Sequence, residues 1–235
     1  MRRSELKRRR RIPILELLSR SFDTAHRRER LARSHLYVIV DQGLVKGSNI
    51  PDPAQELAVA GADLLQIRAN DIPAREHFRL AVQCIQSVRS ASETLVIVNN
   101  NPEVALESGA DGVHLGAKDM PIPRARRLLG ERRIIGATTH NASDARAAAS
   151  NGADYLSYGP VFASRLKAEL SPRGDSYLAS IKRTGLPFFA IGGITLSKVD
   201  ELVRRGVRQV AVCSAVLEAS DPVQAVRKFK RALGR

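Results

Sequence analysis

A three-residue phrase recurs along the chain: Gly61-Ala62-Asp63, Gly109-Ala110-Asp111 and Gly152-Ala153-Asp154, with Gly206-Val207-Arg208 as a degenerate fourth copy. Each copy follows an Ala-, Arg- or Leu-rich stretch and precedes a short run of β-branched and aliphatic residues. Glycine just past a helix supplies the left-handed residue that ends it, so the phrase reads as a repeated helix-to-strand junction. Short apolar runs predict strands over 36–41, 64–69, 95–100, 112–115, 134–140, 155–161, 187–194 and 209–216, and helical stretches over 53–60, 74–90, 142–151 and 196–205 fall between them. The intervals 101–111 and 117–133 leave room only for compact helices. Eight strands in this rhythm over 235 residues predict an α/β chain forming a single (β/α)8 barrel, a closed TIM barrel rather than an open doubly wound sheet. Apolar residues make up 43% of the chain and aromatics 4%, with no Trp, which suits an aliphatic core of helices on a parallel sheet and disfavours an all-β sandwich.

The net charge of +14 would suggest a polyanionic partner, but its distribution weakens that reading. Residues 1–34 hold twelve Arg and Lys against four Asp and Glu. This segment is read as a basic N-terminal extension, disordered or carrying one amphipathic helix around Ile12 to Leu18, ahead of a barrel spanning 35–235. The plainer reading is a solvated extension; docking on nucleic acid, an acidic surface or a second subunit is the alternative, and any nucleic-acid contact would run through this segment alone. The two cysteines, Cys84 and Cys213, lie in apolar runs and offer no disulfide framework. No stretch is long and apolar enough to span a bilayer, and the N-terminus lacks the apolar core of a signal peptide. The expectation is a cytoplasmic protein without a membrane partner.

In a barrel the functional side chains gather at the carboxyl ends of the strands, and the loops after the last two strands often hold a phosphate. Gly192-Gly193-Ile194 and Cys213-Ser214-Ala215 fall there, where backbone N–H groups and a following helix would face an anion. A glycine turn beside small core residues is the plainer alternative. The other polar residues at predicted strand ends are Asp41, Gln66, Arg68, Asn99, Asn100, Asn101, His114, Asp119, Thr138, Thr139, His140, Ser164 and Lys167. Polar groups within apolar strands are costly unless bonded, so their clustering at one rim favours a ligand site.

Eight motifs in order carry a resemblance. Leu36 to Asp41, Gln66-Ile67-Arg68, Val98-Asn99-Asn100, Gly112 to Gly116 with Asp119, Gly136 to His140, Gly159 to Phe162, Ala190 to Ile194 and Ser214-Ala215 together resemble the thiamine-phosphate synthase family, which includes thiazole tautomerases. The resemblance runs from about Leu36 to the C-terminus. It implies a transferase that joins a pyrimidine methyl diphosphate to a thiazole phosphate, releasing diphosphate and forming thiamine phosphate, with Mg²⁺ as cofactor and a homo-oligomeric assembly. On the matching positions, Gln66 and Asn99 would hold the pyrimidine, Arg68 and Lys167 the diphosphate, and Asp119 with Asn100 the metal. Thr138 would lie near the diphosphate and Ser164 on the thiazole side, with Gly193 and Ser214 at the thiazole phosphate and Cys213 among the substrate-binding residues. His140 matches a tautomerase base and also occurs in synthases, while His114 is read as a core or supporting residue.

Two positions depart from the family's pattern: Asn70 stands where a lysine is usual and Asn100 where an aspartate is usual, so one positive and one negative charge are lost together. Structural roles also exist for the same residues: a salt bridge at the barrel mouth for Arg68, a helix cap for Asp119, an exposed loop for Lys167. A tautomerase using His140 for proton transfer and a non-catalytic phosphate-binding barrel are the competing functions.

Overall fold

The computed structural model describes residues 24–45, 49–70, 72–163, 171–172 and 175–234. Eight parallel strands, β1 (Leu36–Asp41), β2 (Leu64–Arg68), β3 (Leu95–Asn99), β4 (Gly112–Leu115), β5 (Ile134–Thr139), β6 (Tyr155–Tyr158), β7 (Phe188–Ile191) and β8 (Val210–Val212), pair in sequence order, and β8 returns to β1 to close the barrel. Helices α1 (Thr24–Arg33), α2 (Pro51–Val59), α3 (Ala74–Arg89), α4 (Pro102–Glu107), α5 (Ile122–Leu129), α6 (Ala142–Ser150), α7 (Asp175–Lys182), α8 (Val199–Arg204), α9 (Ser214–Leu217) and α10 (Pro222–Ala232) accompany it. The sixth, seventh and eighth strands are shorter than the sequence pattern suggests, because their last apolar residues turn into the loops of the barrel mouth.

The repeated phrase explains how the strands are tied. Gly61, Gly109 and Gly152 take positive φ values of 114°, 77° and 92°, and the alanines after them are buried. Each aspartate then accepts a backbone N–H from the start of the preceding strand: Asp63 from His35 and Leu36 at 2.8 and 2.9 Å, Asp111 from Val96 at 2.9 Å, Asp154 from Ile135 at 2.8 Å. An acceptor on every second junction satisfies strand-end donors that would otherwise be orphaned. At the degenerate copy the next residue takes over, since Gln209 Oε1 accepts Phe188 N–H at 3.2 Å and its Nε2 donates to Ser34 O at 2.8 Å.

Side chains alternate between two cores. Leu36, Val38, Val40, Leu65, Ile67, Val96, Val98 and their equivalents pack outward on the helices, whereas Tyr37, Leu64, Leu95, Ile97, Ile134, Tyr155, Phe189 and Ala211 fill the barrel interior. Leu31 of α1 belongs to that interior core at 1% exposure. Around it Arg27, 1% exposed, pairs with the buried Asp111 at 3.0 Å, Arg28 with Asp154 at 3.1 Å and Arg30 with Glu93 at 2.6 Å. This corrects the boundary at residue 34: Thr24–Arg33 is the floor of the barrel, because its arginines meet the aspartates of the repeated phrase and its leucine stops the open end. Residues 1–23, with the apolar cluster Ile12 to Leu18, lie outside the described residues.

Candidate active site

The strand alternation that sends Tyr37 and Leu64 inward also sends Asp41, Gln66, Arg68, Asn99, His114 and Thr138 inward, nearer the carboxyl ends. Asp41 and Arg68 are partners in the register of β1 and β2 and form an ion pair between Asp41 Oδ2 and Arg68 Nη1. Asp41 Oδ1 accepts Gly43 N–H at 2.9 Å. The structural alternative for Arg68, a salt bridge at the mouth, is therefore present, but its side chain remains 41% exposed, with guanidinium N–H groups available to an anion entering the mouth. Cys213 faces this pair. Burial pushes its thiol up to about 12, with the Asp41 carboxylate raising it further and Arg68 opposing. A thiol held neutral lines a site without serving as a nucleophile.

Gln66 is 3% exposed and Asn99 6%. Asn99 Nδ2 donates to Asn70 Oδ1 at 2.8 Å, so the asparagine that replaces the family's lysine orients one of the residues expected to hold the pyrimidine. Deeper in the barrel Gln66 Nε2 donates to Tyr37 OH at 2.7 Å, and Tyr37 OH lies 3.0 Å from Tyr155 OH. His114 bridges onward, with Nδ1 3.0 Å from Tyr155 OH and Nε2 3.0 Å from Thr138 Oγ1. Burial drives the phenols of Tyr37 and Tyr155 upward, so both stay protonated. The supporting place expected for His114 is found; the tyrosines were absent from the expected site, though an alternating strand pattern was enough to aim both inward.

At the ends of β3 and β4, Asp119 is half-buried and its Oδ2 accepts Gly116 N–H at 2.6 Å. Pro121, not Asp119, occupies the cap position of α5, which removes the helix-cap alternative. Asn100 is exposed at φ 64°, and its backbone N–H donates to His114 O at 2.9 Å. Among the described residues no group of three or more His, Cys, Asp or Glu side chains gathers to hold a metal. The Asp119 carboxylate and the Asn100 amide, at the ends of neighbouring strands, are oxygen donors of the kind magnesium takes, and on their own they would leave most of its ligands to a diphosphate and water.

On the far side of the mouth, Gly192 and Gly193 have φ of 98° and 63°. A Cβ on Gly193 would lie 2.2 Å from Ala163 O, so glycine is required by the close approach of the β6 loop as well as by its dihedral. Lys198 Nζ donates to Gly193 O at 3.0 Å and sits 4.4 Å from the centre of the Phe162 ring. The strand β8 leads through Cys213 into the short helix α9, which begins at Ser214. Strand ends 7 and 8 thus supply a glycine turn and a short extra helix, the two features with which barrels frequently hold a phosphate.

Three expectations shift. Thr139 points outward, where its hydroxyl donates to Ser157 O at 2.7 Å and accepts from Tyr177 OH. Asn101 caps α4, its side chain accepting Val104 N–H at 3.0 Å. His140 lines a cavity of about 470 Å³ with Asn141, Tyr177 and Ser180, between α6 and α7, and its backbone N–H donates to Asp144 at 3.0 Å. Ser164 and Lys167 lie outside the described residues.

The family model described as thiamine monophosphate synthase matches residues 36–216. The thiamine-phosphate synthase of Anaeromyxobacter dehalogenans is 41% identical over 211 residues, covering 89% of this chain and 91% of its own length. That of Methanoculleus marisnigri is 38% identical over 197 residues, covering 83% and 93%. A longer thiamine-phosphate synthase from Synechococcus is 36% identical, and the matched region spans 62% of it. The solved thiamine phosphate pyrophosphorylase of Pyrococcus furiosus superposes with a TM-score of 0.78 at 32% identity, over 87% of this chain and 97% of that one. A 3-hexulose-6-phosphate synthase at 17% identity and a TM-score of 0.63 shares the fold alone. No helix among the described residues is long and apolar enough to cross a membrane.

Proposed function

The chain belongs to the thiamine monophosphate synthase family, and from that premise we propose that it condenses 4-amino-2-methyl-5-hydroxymethylpyrimidine diphosphate with thiazole phosphate to give thiamine phosphate and diphosphate. The observation that carries the assignment is the convergence of Gln66, Arg68, Asn99, Thr138 and Asp119 on one rim of the barrel, opposite the Gly193 and Ser214 turns. The reaction breaks the bond between the pyrimidine methylene carbon and the diphosphate oxygen, and the thiazole nitrogen then forms a bond to that carbon. No proton need be moved, so the chain's work is to hold two partners together and to stabilise the departing charge.

Gln66 and Asn99 hold the pyrimidine edge, with Asn70 fixing the Asn99 amide. Asp41 steadies the Arg68 guanidinium, whose remaining N–H groups donate to diphosphate oxygens, with Thr138 beside them. Asp119 and Asn100 would hold Mg²⁺, which when bound neutralises part of the diphosphate charge. Gly193 and Ser214 place backbone N–H groups at the thiazole phosphate. Ser164 and Lys167 complete the two subsites by family resemblance.

The test is an assay for thiamine phosphate with purified protein, both substrates and Mg²⁺. Product formation that is lost in Asp119→Ala supports the proposal. No product above background at saturating substrates would overturn it.

A further inference from the structure

Two residues that the proposed reaction places at opposite ends of the pyrimidine diphosphate are joined through the barrel interior by continuous hydrogen bonds. The order is Gln66, Tyr37, Tyr155, His114, Thr138, with separations of 2.7, 3.0, 3.0 and 3.0 Å. Tyr37 and Tyr155 are 2% and 0% exposed, so a phenol proton left without an acceptor would be costly. Each hydroxyl has one proton to give, and a neutral imidazole has one N–H.

Those counts fix the direction of every bond once the first is set. Gln66 gives an amide N–H to Tyr37, so Tyr37 gives its proton to Tyr155, and Tyr155 gives its own to His114 Nδ1. His114 then carries its proton on Nε2 and donates it to Thr138 Oγ1. The Thr138 proton is the one left over, on a half-buried residue at the mouth. At the other end, Gln66 Oε1 is held away from Tyr37 by the planarity of the amide.

We propose, building on the synthase reading, that Tyr37, Tyr155 and His114 are positioning residues that lock both ends of the site into one polarity. Gln66 presents an acceptor suited to the amino group of an aminopyrimidine, and Thr138 presents a donor suited to an anionic phosphate oxygen. The reversed chain would offer an amide N–H to the amino group and a hydroxyl lone pair to the phosphate, a mismatch at both ends. Burial raises both phenols, so neither link is broken by ionisation near neutral pH. The rings themselves are clamped by Phe189, whose centroid is 5.3 Å from Tyr37 and 5.6 Å from Tyr155 in edge-on geometry. The hydroxyls are thereby held in register independently of the ligand.

Two measurements test this. Nitrogen-15 NMR of histidine-labelled full-length protein reads the His114 tautomer without any turnover: Nδ1 bare and Nε2 protonated is the expected result, and the opposite tautomer overturns the polarity. The second is a mutant cycle of Gln66→Ala and Thr138→Val in the wild-type and Tyr155→Phe backgrounds, read as kcat/KM for the pyrimidine diphosphate. The losses should deviate from multiplicative by at least about 3-fold when Tyr155 is present and multiply independently when it is Phe. KM for thiazole phosphate should be unmoved by Tyr155→Phe, which separates positioning from general damage. Additive losses in the wild-type background, or coupling that survives Tyr155→Phe, overturn the proposal; should Tyr155→Phe fail to fold, Tyr37→Phe breaks the same chain one bond earlier. A wild-type enzyme without turnover sinks the synthase reading, while the tautomer still decides the direction of the chain.

Discussion

Leu31→Ala isolates the claim that α1 is the floor of the barrel. Leu31 is 1% exposed and sits in the interior core with Tyr37, Leu64, Leu95 and Ile134. Truncating a buried leucine costs about 2.7–5.0 kcal/mol depending on how far the surroundings relax. Here the surroundings are strands closed into a ring by hydrogen bonds, which cannot collapse inward, so we expect about 3–4 kcal/mol. For a domain of this size that corresponds to a fall in Tm of about 6–16 °C. Denaturant unfolding followed by circular dichroism gives the free energy directly. The companion variant Arg27→Met keeps the length of the side chain but removes one of two guanidiniums from Asp111; Arg89 and Val96 N–H remain on the carboxylate at 3.2 and 2.9 Å. Its cost should therefore fall below the roughly 3–5 kcal/mol of a fully broken buried pair. Truncation after residue 23 should keep the floor, whereas truncation after residue 34 should open it and lower the unfolding midpoint sharply. If Leu31→Ala costs less than about 1 kcal/mol, or the two truncations unfold alike, α1 lies on the barrel without sealing it and the reasoning fails.

The charge losses at Asn70 and Asn100 should be coupled: Asn70→Lys alone takes the acceptor from Asn99 and Asn100→Asp alone adds an uncompensated anion, so the double variant should exceed both singles in kcat/KM. A cycle with coupling below about 0.5 kcal/mol would show independent sites. Both thiols are pushed up to about 12 by burial, leaving a thiolate fraction of about 10⁻⁴ at pH 8; iodoacetamide should label the native protein far more slowly than the unfolded chain, and labelling at equal rates refutes the buried neutral state. Removing residues 1–23 takes away Arg2, Arg3, Lys7, Arg8, Arg9, Arg10, Arg11 and Arg20, and should lower the salt needed to elute the protein from heparin while leaving steady-state kinetics nearly unchanged; an unchanged elution places the polyanion attraction on the barrel instead.

The barrel was legible because its signals are local and repeated. A glycine that ends a helix, a small residue and an aspartate recur together at every second helix-to-strand junction, and alternation is enough to put Gln66, Asn99 and Thr138 on the inner face without any contact being known. The floor was not legible, since α1 reads as part of a run of arginines; only the fold shows that Arg27 and Arg28 end on Asp111 and Asp154, carboxylates whose strand-tying role the sequence rhythm implied but whose charge it left unassigned. Thr138 and Thr139 show the limit at finer scale. Both are threonines at the end of one strand, yet a single step along it sends Thr138 to His114 and Thr139 to Tyr177 on the helix layer, and the register that decides between them is set by pairing with β4 and β6.

The polarity of the site lies further still from the sequence. Residue types at 37, 66, 114, 138 and 155 permit two opposite proton orders, and neither motif nor spacing chooses between them. The choice follows from the orientation of one amide, the Gln66 side chain, propagated through groups that each have one proton to give. A ligand-binding residue and a charge-stabilising residue on strands three places apart in the barrel can therefore share one hydrogen-bond state, and substitution at a tyrosine that touches neither substrate should alter how both ends of the pyrimidine diphosphate are received.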